Sequence, residues 1–542
     1  MPTHDVTNQP PPLSGYNLFD ADVALSEALV REGAASALPD LARLGQQAGT
    51  AEAQEWGRAA NEHPPQLLTH DRYGHRIDEV RFHPAYHSLM SVAIEEGLGA
   101  VPWGTTEPGA HVARCAKVLV WYQVDGGHIC PVSMTYSVVP ALRQAPELAA
   151  SWEPGLTAGV YDPGFVPPEG KQGLTCGMAM TEKQGGSDVR ANTTVARHLA
   201  EDEYLITGHK WFCSAPMSDG FLTLAQASEG LTCFLLPRWR PDGTRNNLSI
   251  QRLKDKLGDR SNASSEVEFD EAWVRRVGDE GRGVRTIIEM VNHTRLDCTL
   301  GATAIMRQGT AQAVWHSRHR SAFGATLVGQ PLMQAVLADL ALESEAATTS
   351  AMWLAGLFDA SSRGDAHAAL LARLATPVLK YWICKRAPAH SAEALECLGG
   401  VGYVEETGLP RLFRQSPLNG VWEGSGNVIC LDVLRAMARS PEATEALLGE
   451  IRSAGDGVPE IAAATDELRA LLADPDHLER RARLIVERLA LLTQAALLVR
   501  HAPGPVAEAF VASRLGGEWG RAFGTLSPAA PAAAIVDRAL AI

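Results

Sequence analysis

Apolar residues recur at three- and four-residue spacing in Ala21–Glu32 and His87–Glu96, and the same period predicts a mainly helical region over residues 1–177. Proline and glycine punctuate it at Pro154-Gly155 and between Pro163 and Gly170. The texture changes at Met178. Short runs rich in Thr, Val, Leu and Phe follow, at Asn192–Arg197, Tyr204–Thr207, Phe221–Gln226, Thr232–Pro237 and Ser265–Phe269. Gly, Asp and Asn separate them, so a small β domain is predicted over residues 178–277. From Gly281 the helical period returns in three long segments, Arg285–Val314, Pro331–Phe358 and Asp365–Cys397, then a turn at Gly399–Gly402 and a helix after Gly424. This third region spans residues 278–440. Beyond Ser440-Pro441 the chain is rich in Ala, Leu, Arg and Glu, with breaks at Asp474-Pro475 and Pro503–Pro505, and reads as a separate helical domain over residues 441–542. The predicted class is therefore α+β, with several domains.

Composition narrows the possibilities. Of 542 residues, 46% are hydrophobic and 20% charged, which suits a folded chain and not a disordered one. The formal net charge of -15 excludes a protein coated in basic residues, although a local basic patch is compatible with it. Met1–Gly15 is polar and Pro-rich, without the basic and apolar regions of a secretory signal. The most apolar late run, Leu489–Val499, is too short to span a bilayer and is flanked by Arg488 and Arg500. Nine scattered cysteines form no C-x-x-C pair, so neither a metal site nor a disulfide framework is expected. A cytoplasmic location and no membrane partner are the expectation.

Two strings carry candidate chemistry. Met180-Thr181-Glu182-Lys183-Gln184-Gly185-Gly186-Ser187-Asp188 enters the β domain with adjacent glycines, a hydroxyl and a carboxylate. Glycines permit close backbone approach to a ligand, and Ser187 could bond an anion; a plain loop capped by Ser187 and Asp188 explains the string equally well. Gly208-His209-Lys210-Trp211-Phe212-Cys213-Ser214 follows the strand Tyr204–Thr207. Its aromatics could cover a planar ring, or could simply sit in the core of a hairpin.

Taken together and in order, these strings resemble the two β-domain signatures of the acyl-CoA dehydrogenase family. Four more matches follow: Lys256-Leu257-Gly258 with Arg260 and Ser264; Arg320-Ser321-Ala322-Phe323-Gly324 with Gln330; Leu398–Tyr403; and Trp422-Glu423-Gly424-Ser425. The resemblance covers roughly residues 80–440. Thr7–Pro10, Arg31–Ala34, Lys183 within the first string and the extension after Ser440 further resemble that family's AidB branch, which is implicated in protecting DNA under alkylation stress.

The resemblance implies FAD as cofactor, a homotetramer and an acyl-CoA substrate, with isovaleryl-CoA as the type. It assigns Met180, Thr181, Gly186 and Ser187 to the flavin ring and pyrophosphate, and Phe212, Cys213 and Ser214 to the isoalloxazine. Arg320 to Gln330 would reach the FAD of a neighbouring subunit, and Trp422, Gly424, Ser425 and Asn427 would complete the pocket. Trp422 stands where the family usually has Tyr, and Gln415 where it usually has Asp. Glu423 is the candidate catalytic base, a helix N-terminal charge being the alternative. Thr294 occupies the place where some relatives carry the base. The branch also implies non-specific binding of double-stranded DNA, with dehydrogenase activity weak or residual. A fully active short- or branched-chain acyl-CoA dehydrogenase without a DNA role is the alternative. Arg435, Arg439, Arg480, Arg481 and Arg514 are candidate phosphate contacts, against the alternative of a solvated face laced with ion pairs.

Overall fold

The computed structural model describes residues 3–474 and 476–542, so Pro475 of the expected break lies outside the described residues. The chain forms two compact units, each assembled from discontinuous segments.

One unit comprises Glu52–Glu107 and Val124–Asp297. Within the region expected to be helical it holds a hairpin of β1 (Gln66–His70) and β2 (Arg76–Arg81). The barrel strands are β3 (Cys176–Ala179), β4 (Val195–Ala200), β5 (Glu203–Ser214), β6 (Gly220–Ala227), β7 (Gly230–Pro237), β8 (Leu248–Leu253) and β9 (Ser264–Val277), and the five predicted runs fall on β4, β5, β6, β7 and β9. Strand order is β3-β6-β4-β5-β9-β7, and β6 pairs antiparallel with β7, so the sheet closes into a barrel and leaves few edges. Its core gathers Ile206, Phe221, Phe234, Leu236, Ile250 and Val274, all fully buried. The helix Ile129–Leu142 is buried almost throughout, and the Thr135 hydroxyl accepts from the Cys176 amide at 3.1 Å, which ties this helix to the first barrel strand.

The other unit comprises the chain up to Ala51, Pro108–Gln123 and Cys298–Ile542. Helices Pro331–Ser362 and Ala366–Cys397 are its centre and lie within four residues of the expected bounds. Asp365 caps the second, accepting from the amides of His367 and Ala368 at 2.9 and 3.0 Å. Both are apolar on most faces, as buried helices must be. Helices Pro441–Ala454 and Leu478–His501 pack on them, so residues 441–542 belong to this unit instead of forming a domain apart. Asp339 and Glu343, buried on Pro331–Ser362, are neutralised by Arg514 from that C-terminal segment, with Arg386 also on Glu343 at 3.2 Å. Among the described residues no helix is long and apolar enough to cross a membrane, and all nine cysteines are buried.

Candidate active site

In the barrel unit, the loop after β3 carries Met180, Thr181, Gly186 and Ser187, and β5 runs beside it. The Trp211 amide donates to the Thr181 carbonyl at 2.7 Å. Below this contact Glu182 and Lys210 form a fully buried ion pair at 2.8 Å. Glu182 also accepts from the Thr193 amide (2.6 Å), the Thr193 hydroxyl (2.9 Å) and the Thr194 amide (3.1 Å). Burial opposes the carboxylate's charge, but these donors, Lys210 first among them, outweigh it and hold the Glu182 carboxyl down at about 2. The two motif residues that were assigned no role from the sequence thus fasten the loop to the strand. Their signal was a Glu and a Lys inside strings otherwise fit for a ligand.

The β5–β9 register slips between Lys210 and Cys213, a bulge in which Trp211 and Phe212 together oppose one residue of β9. Strict alternation would point Phe212 to the same side as Lys210. The bulge turns both aromatics away from the core instead. Trp211 is capped by the Lys254 ammonium at 3.3 Å from the ring centroid, and Phe212 stands 49% exposed. Cys213 corrects one expectation: its side chain enters the barrel core, where burial pushes the thiol up to about 12, so only its backbone can line a ring. Ser214 is half-buried, its hydroxyl 3.3 Å from that of Ser264. Gly186 and Ser187 are exposed, and Gly185 has a φ of +136° with open space around it. Thr294 is buried and donates its hydroxyl to the Val291 carbonyl at 3.0 Å.

In the other unit, Trp422, Glu423 and Gly424 form a turn, and Ser425 precedes the helix Gly426–Arg439. Glu423 adopts φ +57° and Gly424 φ +105°. Glu423 lies two residues before the N-cap, so it is not a first-turn charge of this helix. The Lys380 ammonium donates to the carbonyls of Trp422 (2.9 Å) and Gly424 (2.7 Å), one on each side of Glu423. The Trp422 indole donates to the Asn419 side chain at 2.9 Å, and Asn427 accepts from Arg483 at 2.8 Å. Arg320 and Gln330 bracket the hairpin β10 (Ser321–Ala322) and β11 (Ala325–Thr326), and Gln330 donates to the Ala322 carbonyl at 3.2 Å. Phe323 at its tip is 99% exposed with φ +52°. Asn8 braces the base, donating to the Ser321 carbonyl at 2.7 Å and accepting from its amide at 2.8 Å.

The arginines divide. Arg435, Arg439 and Arg480 are exposed and make no ion pair among the described residues, whereas Arg481 pairs with Asp474 at 2.6 Å. Arg514 corrects another expectation. It is fully buried between Asp339 and Glu343, with its guanidinium over Trp519, and offers nothing to a phosphate.

Residues 8–163 match the model of the adaptive response protein AidB N-terminal domain. Residues 177–272 and 281–438 match the middle and C-terminal domains of acyl-CoA dehydrogenases. The chain is 45% identical to AidB of Escherichia coli (strain K12), covering 94% of each. It is 32% identical to acyl-CoA dehydrogenase family member 11 of Caenorhabditis elegans, over 85% of this chain and 80% of that one. The solved structure of Caenorhabditis elegans ACDH-11 in complex with C11-CoA superposes with a TM-score of 0.85 at 29% identity, covering 94% of this chain and 93% of that one. An acyl-CoA dehydrogenase from Bacillus anthracis, solved with FAD, shares the fold at 19% identity and a TM-score of 0.65, over 80% and 81%. With its three matched domains in order and a relative this similar along nearly its whole length, this chain belongs to the AidB branch of the acyl-CoA dehydrogenase family.

Proposed function

We propose that this protein is an FAD-dependent flavoprotein that desaturates an acyl thioester, with Glu423 as the base. The observation that carries this reading is the turn at Glu423: a carboxylate at φ +57°, outside any helix, with its two flanking carbonyls held by a buried ammonium. A non-glycine residue in that region costs on the order of 1 kcal/mol or more, and such conformations cluster where function requires them. The cofactor is FAD, and the barrel residues fit it. Phe212 presents a ring face, the Ser187 and Ser214 hydroxyls are within reach of a ligand, and the Gly185-Gly186 backbone permits close approach. Met180, Thr181, Gly186, Ser187, Phe212 and Ser214 are its residues in the barrel unit; Trp422, Gly424, Ser425 and Asn427 are those that the family motif assigns to it in the helical unit. A bound FAD would supply the acceptor for the hydride lost from the acyl Cβ. Glu423 takes the α-proton. That C–H is a weak acid, so the carboxylate must work out of bulk water to be basic enough.

The substrate class is an acyl-CoA, supported by the C11-CoA complex of the nematode relative, and a short or branched acyl chain is the type we propose. The protein works as a homotetramer, in which the Arg320–Gln330 hairpin with its bare Phe323 meets a neighbouring copy. The test is product analysis with isovaleryl-CoA and an electron acceptor. The expected product is the enoyl thioester, lighter by two hydrogens, and Glu423→Gln should form none. Turnover that survives in Glu423→Gln refutes the assignment.

Three exposed arginines that make no ion pair among the described residues favour a second activity at another surface. Arg435 and Arg439, one turn apart on Gly426–Arg439, and Arg480 on the adjoining Leu478–His501 present cations to a phosphate backbone. This gives sequence-independent binding of duplex DNA, in keeping with a role in the response to alkylation. Binding that does not weaken as salt rises refutes it.

A further inference from the structure

We propose that Lys380 is the positioning residue for Glu423, setting the direction of its carboxylate through the backbone on either side; this rests on the reading of Glu423 as base. Lys380 lies on the helix Ala366–Cys397 and is 1% exposed. Among the described residues it makes no ion pair; its ammonium donates to the Trp422 carbonyl at 2.9 Å and the Gly424 carbonyl at 2.7 Å. The contrast with Lys210 is informative, because that equally buried ammonium is neutralised by Glu182.

Burying an ammonium without a counter-charge is unfavourable, and a methionine of similar length would fill the same space. Fold stability alone therefore gives little reason for a lysine here. Its geometry gives a better one. The two carbonyls it grips belong to the residues before and after Glu423: the first lies in the peptide plane that enters the Glu423 Cα and the second in the plane that leaves the Gly424 Cα, so the chain is held on either side of the Glu423–Gly424 peptide. With the turn tied on both sides to one ammonium, relaxation of Glu423 from φ +57° to an ordinary conformation would break one of these bonds, and the side chain keeps its exit direction. The same helix backs the rest of the turn. A methyl group added at Gly420 would meet the Cys384 carbonyl at 3.5 Å, and one at Gly426 the Lys385 side chain at 3.0 Å. A base must lie within hydrogen-bond reach of its proton, and small misplacements cost large factors in rate.

The experiment compares full-length, FAD-loaded wild type with Lys380→Met and Lys380→Arg. Hydrogen–deuterium exchange of residues 421–427 should quicken in Lys380→Met and return toward wild type in Lys380→Arg. In anaerobic bleaching of the flavin by isovaleryl-CoA, Lys380→Met should lower the limiting rate at least about tenfold. The half-saturating acyl-CoA concentration should stay within about twofold, and Lys380→Arg should recover most of the rate. If Lys380→Met does not fold, Lys380→Gln, which keeps a donor but loses the charge, is read the same way. A folded variant lacking the ammonium that bleaches at the wild-type rate, or leaves exchange at 421–427 unchanged, overturns the role of Lys380 alone. Bleaching of Glu423→Gln at the wild-type rate overturns the base assignment, and this proposal with it.

Discussion

Replacing Lys210 with methionine tests how the loop after β3 is built. The side chain and its partner Glu182 are both fully buried, and the pair joins the loop after β3 to β5. Lys210→Met keeps the volume but leaves a carboxylate in the barrel wall with only the Thr193 and Thr194 donors. Breaking a buried pair from one side typically costs about 3–5 kcal/mol, because the remaining charge is uncompensated. The three retained donors place the expectation near the lower end, about 3 kcal/mol. Replacing both partners, as Lys210→Met with Glu182→Leu, should cost less than the single change. The pH dependence has a definite sign. In the wild type the Glu182 carboxyl is held at about 2, so its stabilising contribution is present above the ordinary carboxylate range and lost as pH falls toward that value. Without the ammonium its folded value rises, so the penalty is greatest at about pH 8 and shrinks toward about pH 5 as the carboxyl takes up a proton. Guanidinium unfolding at the two pH values, followed by tryptophan fluorescence, reads both effects. A penalty below about 1 kcal/mol, or one independent of pH, refutes the reasoning.

Other outcomes follow from the same geometry. Phe212→Ala should leave unfolding within about 0.5 kcal/mol of wild type, since the ring is half exposed, yet lower the flavin retained through gel filtration. Arg514→Met should destabilise the helical unit by about 3–5 kcal/mol in denaturant titration, because Asp339 and Glu343 lose their shared cation. Duplex binding should weaken in Arg435→Glu, Arg439→Glu and Arg480→Glu, each lowering the salt slope by about 1 in a fluorescence anisotropy titration. Arg197→Glu, at an exposed arginine on β4 of the barrel, serves as a control there: a loss of binding in that variant as large as in the other three would show that surface location does not matter.

The sequence spoke most clearly where one period persisted. The helices Pro331–Ser362 and Ala366–Cys397 were legible because their apolar residues run without a break between a proline at one start and an aspartate cap at the other. Barrel strands β6 and β7 were legible for the same reason, as nearly continuous apolar runs. β8 was missed because Ser249, Gln251 and Arg252 dilute it, and the β1–β2 hairpin because polar residues dominate both strands. At the site, the motifs located the loop and the turn but not the work of each side chain. A bulge is a register slip between two strands distant in sequence, so no local pattern reveals that Phe212 turns out while Cys213 turns in. Arg514 reads as a surface cation in its own helix, and only the packing of that helix on Asp339 and Glu343 buries it. Lys380 lies 43 residues before Glu423, and nothing in its own segment links it to that turn.

The most direct test of the central claim is anaerobic bleaching of the protein's bound flavin by a panel of acyl-CoAs, isovaleryl-CoA included, in wild type and Glu423→Gln. Stoichiometric bleaching of the wild type by at least one thioester, absent in Glu423→Gln, is the expected result. A yellow protein that no thioester reduces, or a Glu423→Gln variant that bleaches like the wild type, would contradict it.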